Sequence, residues 1–252
     1  MFTGYVIPPR PQEHDDLKTC IMNLVSEFEQ KPDESKAITQ LSTRYKIKRR
    51  RLYDVINVYT SLGCCQKTCL DHVIWLGKEK IIPGLKALII KEDINNPNKT
   101  LEELFPVNGC IGIANLTLYF LLLFYALKSN KVDIRFAAQF FSRGTGRYKT
   151  TLCKLYQISY ILNAIHVTTR SEQVCEVILN PPFITSQDIV DDPVPQKNNL
   201  DSIMSIEQLL NRPIFTNTDN YVIRRREEIR ECFVKNISAR EAEAKIPAAE
   251  DE

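Results

Sequence analysis

Lys46 to Gly63, reading KIKRRRLYDVINVYTSLG, is the stretch on which the fold turns. Leu52, Val55, Ile56, Tyr59 and Leu62 recur at i, i+3, i+4, i+7 and i+10, the spacing of one buried helix face. The other side carries Arg49, Arg50, Tyr53, Asp54 and Asn57, with Arg51 near its edge. Gly63 suits the left-handed conformation that commonly ends a helix. A helix presenting arginines fits the major groove of duplex DNA by width. An arginine fork can pair with guanine O6 and N7, each such pair worth roughly 1–3 kcal/mol of discrimination. Arg50, Arg51, Tyr53, Asp54 and Asn57 are therefore the candidate base-reading residues. Arg44, Lys46, Lys48 and Arg49 are candidate phosphate contacts, which add salt-dependent affinity but read no sequence. A basic run alone describes a solvated face or a nuclear-import cluster equally well. Its surroundings favour the groove.

Upstream, Leu17 to Gln30 places Leu17, Ile21, Leu24, Val25 and Phe28 on one helix face, and Lys31-Pro32-Asp33 ends it. A second short helix follows, with Ile38 and Leu41 apolar. Downstream, Cys64 to Leu76 reads as two short strands around a polar turn at Thr68 to Asp71. Three helices and a hairpin in so short a span outline a winged helix, a variant of the helix-turn-helix.

The pattern recurs. Leu116 to Lys128 and Asp133 to Phe141 read as helices, Arg147 to Ile165 as a third, and His166 to Leu179 as two strand-like pieces. A shift of 103 residues lays Leu52, Tyr53, Val55, Val58 and Leu62 on Leu155, Tyr156, Ile158, Ile161 and Ile165. The expected organisation is a disordered N-terminus at 1–13, a winged helix at 14–80, a linker at 81–112, a second and degenerate winged helix at 113–182, and a C-terminal tail at 183–252. Pro83-Gly84 and the polar Asn95–Lys99 stretch mark the linker, and Thr100 with Glu103 three residues on has capping-box spacing. In the tail, Ile203 to Leu210 and the charged run Arg224 to Lys245 are candidate helices, the latter read as a solvated face with partner docking as the alternative. The last residues, IPAAEDE, are expected to be disordered. The fold class is thus α+β and mostly helical, with two tandem winged helices and a helical or disordered tail.

At 44% hydrophobic and 25% charged the chain is ordinary globular material, and its net charge of +2 argues nothing by itself. The N-terminus lacks an apolar core behind a basic start, so no secretory signal is expected. Eight cysteines without paired spacing suit reduced thiols in a nuclear or cytosolic protein. Ile111 to Leu127 is apolar for 17 residues apart from Gly112, Asn115 and Thr117. A membrane span needs about 20, so a buried helix is expected instead. Cys64, Cys65, Cys69 and His72 cluster as zinc ligands can. Cys64 and Cys65 should alternate sides of a strand, however, and no metal is assigned. With histidines only at 14, 72 and 166, and without a glycine-rich phosphate loop, an HExxH or a nucleophile elbow, neither catalysis nor a cofactor is expected.

Arg50-Arg51-Leu52-Tyr53-Asp54-Val55 with Asn57-Val58 resembles the RRxYDI..NV signature of the E2-factor/DP transcription factors, which are winged-helix proteins. His72-Val73-Ile74-Trp75-Leu76-Gly77 is similar to that family's final strand. In the second unit, Leu123-Phe124, Ala137-Ala138, Tyr148-Lys149-Thr150 and Lys154-Leu155-Tyr156-Gln157-Ile158 resemble the second DNA-binding domain of the atypical members. Those carry two such domains in one chain and dispense with a DP partner. The resemblance implies that Arg50 and Arg51 contact bases in a GC-rich site, and that the two units pack as an intramolecular pseudo-dimer.

The departures are specific. Cys153, Lys154 and Gln157 stand where the second unit would carry its arginine pair and aspartate, so it should have lost base reading. Arg143, Arg147, Lys149 and Lys154 can still hold phosphates. The first wing, Lys67-Thr68-Cys69-Leu70-Asp71, offers Lys67 as a phosphate contact where the family has several basic residues. The tail shows no zipper and no familiar dimerisation or retinoblastoma-binding segment. The expectation is a nuclear, sequence-preferring double-stranded DNA-binding protein, a transcriptional regulator with repressive character. It has no membrane or small-molecule partner, and the second unit and tail are candidate surfaces for protein partners. The alternative is a winged-helix scaffold in a larger nuclear complex with weakened DNA binding.

Overall fold

The computed structural model of the chain describes residues 16–107, 111–190 and 217–244. The expectations for residues 1–13, Ile203 to Leu210, Lys245 and the last residues lie outside the described residues.

The first unit is built on α1 (Leu17–Gln30), α2 (Ile38–Arg44) and α3 (Arg49–Ser61). Against them lies a sheet of β1 (Lys36–Ala37), β2 (Cys65–Cys69) and β3 (His72–Trp75) in the order β1-β3-β2. The short β1, which pairs with β3, has no counterpart in the sequence reading, because two residues are too few for any periodicity. The apolar faces converge as the spacing requires: Ile21, Leu24, Phe28, Ile38, Leu52, Val55, Ile56 and Tyr59 are all buried. At their centre Trp75 of β3 stacks on Phe28 at 5.4 Å and meets Tyr59 edge-on at 5.8 Å. Helix α3 stops because Gly63 adopts φ +77°. Cys64 N–H then donates to Tyr59 O and Gly63 N–H to Thr60 O, closing the last turn.

Residues 81–107, within the stretch read as a linker, contain two helices. Pro83 and Gly84 sit in the first turns of α4 (Ile81–Lys91), where a missing N–H costs little. Thr100 and Glu103 form the reciprocal capping box of α5 (Leu101–Leu104). Phe105 then plugs an aromatic cluster of Tyr119, Phe140 and Phe141.

The same order of elements then repeats: α6 (Ile113–Ala126), β4 (Lys131–Asp133), α7 (Ile134–Phe141), α8 (Tyr148–Ala164), β5 (Thr168–Arg170) and β6 (Glu176–Leu179). The strand order is β4-β6-β5, matching that of the first sheet. Even the helix stop repeats, with His166 at φ +60° standing 103 residues after Gly63, and Val167 N–H donating to Leu162 O. The apolar Ile111–Leu127 stretch becomes α6, buried along most of its length. No helix among the described residues is long and apolar enough to cross a membrane.

The two units pack through their helices, α3 against α6 and α8 against α1. Because α6 is to the second unit what α1 is to the first, each third helix rests on the other unit's first helix. The long α9 (Asn217–Ala244) then lies across α7 and α5. Its expected solvated face is corrected by the burial of Arg225 and Arg226. Arg225 reaches the carbonyls of Ile94, Asn96, Lys99 and Ala126. Arg226 reaches those of Leu127, Lys128 and Val190.

Candidate nucleic-acid interface

Helix α3 enters from Lys48 without an acidic residue in its first turn, so the partial positive charge of its N-terminus adds to three arginines. Arg49, Arg50 and Arg51 are all exposed while Leu52 behind them is fully buried. The core therefore fixes the direction in which the arginines project. Their company differs. Arg49 Nη2 donates to Asp71 Oδ1 at 3.3 Å and to the Tyr53 hydroxyl at 3.4 Å, with its guanidinium over the Tyr53 ring at 5.6 Å. Arg51 Nη1 donates to Gln157 Oε1 at 2.7 Å, with Asp54 Oδ2 3.9 Å away. Arg50 has no partner among the described residues.

The wing hairpin folds down beside this helix. Lys67 Nζ donates to Asn57 Oδ1 at 2.7 Å and stands 6.0 Å from the Tyr53 ring centroid. Tyr53 thus lies between two cations, and its hydroxyl donates to Asp71 Oδ1 at 3.1 Å. Asp71 also serves α2, whose N-cap, Ala37, has no side chain able to cap. Its carboxylate accepts from the Thr39 hydroxyl and backbone N–H. The Thr39 hydroxyl holds the Asp71 carboxyl below its ordinary range against the opposing effect of desolvation, and Tyr53, the Thr39 N–H and Arg49 add smaller contributions in the same direction. Residues 14–77 match the E2F/DP family winged-helix DNA-binding domain. No curated protein matches the chain. The E2F/DP domain match ends at Gly77, so it spans the first core, the arginine helix and the wing.

Within that domain and beyond it, the other predicted contacts fall unevenly. Lys46, at φ +52°, and Lys48 are exposed in the turn before α3. Arg44 is exposed but bonded to Glu27 Oε1 at 2.8 Å. Asp54 is drawn into the contact between units, accepting from Gln157 Nε2 at 2.6 Å. In the second unit, Arg147 and Lys149 are exposed at the start of α8, as is Cys153. Lys154 is half-buried and spends its ammonium on Ile111 O at 2.9 Å. The expectation that Arg143 is available to phosphate is overturned. It lies over the Phe140 ring at 4.3 Å, donates to Phe105 O at 2.8 Å and Phe140 O at 2.9 Å, and is largely buried.

Cys64 and Cys65 do not alternate sides, because Cys64 precedes β2 and both thiols lie in the core. Burial pushes the Cys64 thiol up to about 12. Cys69 and His72 meet at the far end of the hairpin, Sγ to Nδ1 at 3.2 Å, so the four residues are not brought together. Two participants escape sequence reasoning. Asp71 stands there only as part of a turn, and Gln157 only as a loss. The 103-residue shift that equates Gln157 with Asp54 is the available signal, since the two residues are in contact with one another.

Proposed function

We propose that the chain is a nuclear, sequence-preferring double-stranded DNA-binding protein, a transcriptional regulator of the E2-factor type. The start of α3 would enter the major groove of a GC-rich site. One observation carries this reading: Arg50 is exposed and unpartnered among the described residues, on the first turn of a helix whose opposite side is sealed in the core. An arginine so held has its fork free for a guanine edge. Arg51 reads beside it, while Tyr53, Asp54 and Asn57 hold the reading face in shape. Lys46, Lys48, Arg44, Arg49 and Lys67 supply phosphate contacts from the first unit, and Arg147 and Lys149 from the second.

The second unit is a degenerate winged helix that acts as a built-in dimerisation partner. Supporting this are its repeated element and strand order and the reciprocal seating of third helix on first helix. That seating is the pattern of an isologous interface closed within one chain. Cys153, at the position equivalent to Arg50, has no fork to offer guanine.

A salt series tests the proposal. A GC-rich duplex should bind at near-physiological salt and lose affinity steeply as salt rises. Arg50→Ala should weaken binding by about 5- to 150-fold, the range set by one bidentate base contact. Unchanged binding by Arg50→Ala and Arg51→Ala alike would contradict base reading by this helix. A second reading, a scaffold subunit with weakened DNA binding, draws on Asp71 neutralising Arg49 and on Lys154 being spent internally. It requires co-purifying subunits that survive nuclease treatment.

A further inference from the structure

Gln157 lies on α8, half-buried where the two units meet. One carboxamide there serves two charged groups of the other unit. Its Oε1 accepts from Arg51 Nη1 at 2.7 Å, and its Nε2 donates to Asp54 Oδ2 at 2.6 Å. The orientation of the amide is fixed by chemistry, since the flipped group would set NH₂ against a guanidinium and oxygen against a carboxylate. A carboxylate at 157, the residue type the E2-factor resemblance implies, would face Asp54 with like charge and disfavour both ionised forms. Glutamine removes that repulsion and keeps both hydrogen bonds. The replacement that costs the second unit its own reading thus creates a contact to the first unit's reading helix.

The atoms used on Arg51 matter. Both its partners approach Nη1, and the side chain stays 54% exposed. The Nε–Nη2 edge has no partner among the described residues, and that edge is one of those able to fork onto guanine O6 and N7. We infer that Gln157 is a positioning residue for base recognition by the first unit: it grips Arg51 by one nitrogen and steadies Asp54, so that the opposite guanidinium edge faces the groove. The second unit then takes part in sequence reading without touching a base. This rests on the DNA-reading function proposed above.

The test uses the full chain, a GC-rich duplex and a set of duplexes each with one G·C pair changed to A·T. Gln157→Ala should lose discrimination at one guanine by about three- to tenfold, the net worth of one solvent-exposed hydrogen bond that aims the fork. Arg51→Ala should lose discrimination at that same guanine, and the double variant should lose little more. The salt dependence should stay at the wild-type slope, because no phosphate contact has changed. Gln157→Glu should do worse than alanine. Asp54→Asn added to Gln157→Glu should restore discrimination, since the carboxylate introduced at 157 then accepts from both neighbours.

Three results overturn the inference while leaving DNA reading intact. They are wild-type discrimination in Gln157→Ala, tighter binding by that variant, and a uniform loss across all duplexes that follows a fall in thermal stability without rescue by the second pair. If the wild-type chain shows no discrimination and Arg50→Ala changes nothing, the DNA-reading function falls and takes the inference with it.

Discussion

Arg50 and Arg51 are neighbours in sequence with different company in space, and that difference organises the proposed interface. Arg50 is unpartnered among the described residues, while Arg51 is held from behind by Gln157 and Asp54. Asp71 governs the third arginine, Arg49, and its ionisation gives a testable pH dependence. Its carboxyl is held below the ordinary value of 3.8, chiefly by the Thr39 hydroxyl, then by Tyr53 and Arg49. A depressed folded value contributes stability that is complete above the unfolded value and is lost as pH falls through the folded one. Asp71→Asn should therefore remove part of the acid sensitivity below about pH 4, read as thermal midpoint against pH. The same variant frees Arg49 for phosphate, so non-specific duplex affinity should rise and the salt slope steepen by up to about one unit. Affinity unchanged by Asp71→Asn would show that Arg49 takes no part in backbone binding. The core face of α3 was legible in the spacing of Leu52, Val55, Ile56, Tyr59 and Leu62. The partners of its exposed face were not, because they arrive from the wing and from a helix about a hundred residues away.

Among the helices, α9 shows where composition misleads. A run of charged residues reads as a solvated surface, yet Arg225 and Arg226 are buried against backbone carbonyls. The reason lies at the end of α6, whose last carbonyls have no partner within the helix. Arg225 takes Ala126 O at 3.2 Å, and Arg226 takes Leu127 O at 2.9 Å and Lys128 O at 2.8 Å, where a cation also opposes the helix dipole. Glu228 of the same helix accepts from Leu101 N–H at the start of α5. Thus α9 ties the end of α6 to the loop before α5. Nothing in the sequence announces unsatisfied carbonyls, so this role could not be read from Arg224–Lys245. Arg225→Ala should cost about 2–4 kcal/mol in a denaturant titration, because several buried carbonyls lose their donor together. Arg225→Lys should recover little, since one ammonium cannot span the fan that a guanidinium covers. Full recovery by lysine would mean that charge alone, rather than the planar set of donors, is what α9 supplies.

Taken together, the two units form one body in which the elements of the second repeat those of the first in order and strand pairing. The order of elements was legible because apolar positions recur across the 103-residue shift, even where the exposed positions differ. How the halves meet was not legible in the residues themselves. It depends on Tyr160 reaching back to Asp16 at 2.8 Å, on Gln157 bridging Arg51 and Asp54, and on the seating of α3 on α6. Position 157 illustrates the limit well, for a residue that the sequence marks only as a departure furnishes a contact to the other unit. The most direct measurement is selection of bound sequences from a random duplex pool by the full chain, run beside the Arg50→Ala/Arg51→Ala variant. The expected result is enrichment of a GC-rich site by the wild-type chain and its disappearance in the variant, with weak salt-sensitive binding to all duplexes retained. Enrichment of the same site by both proteins, or of none by either, would contradict reading of DNA through the arginines of α3.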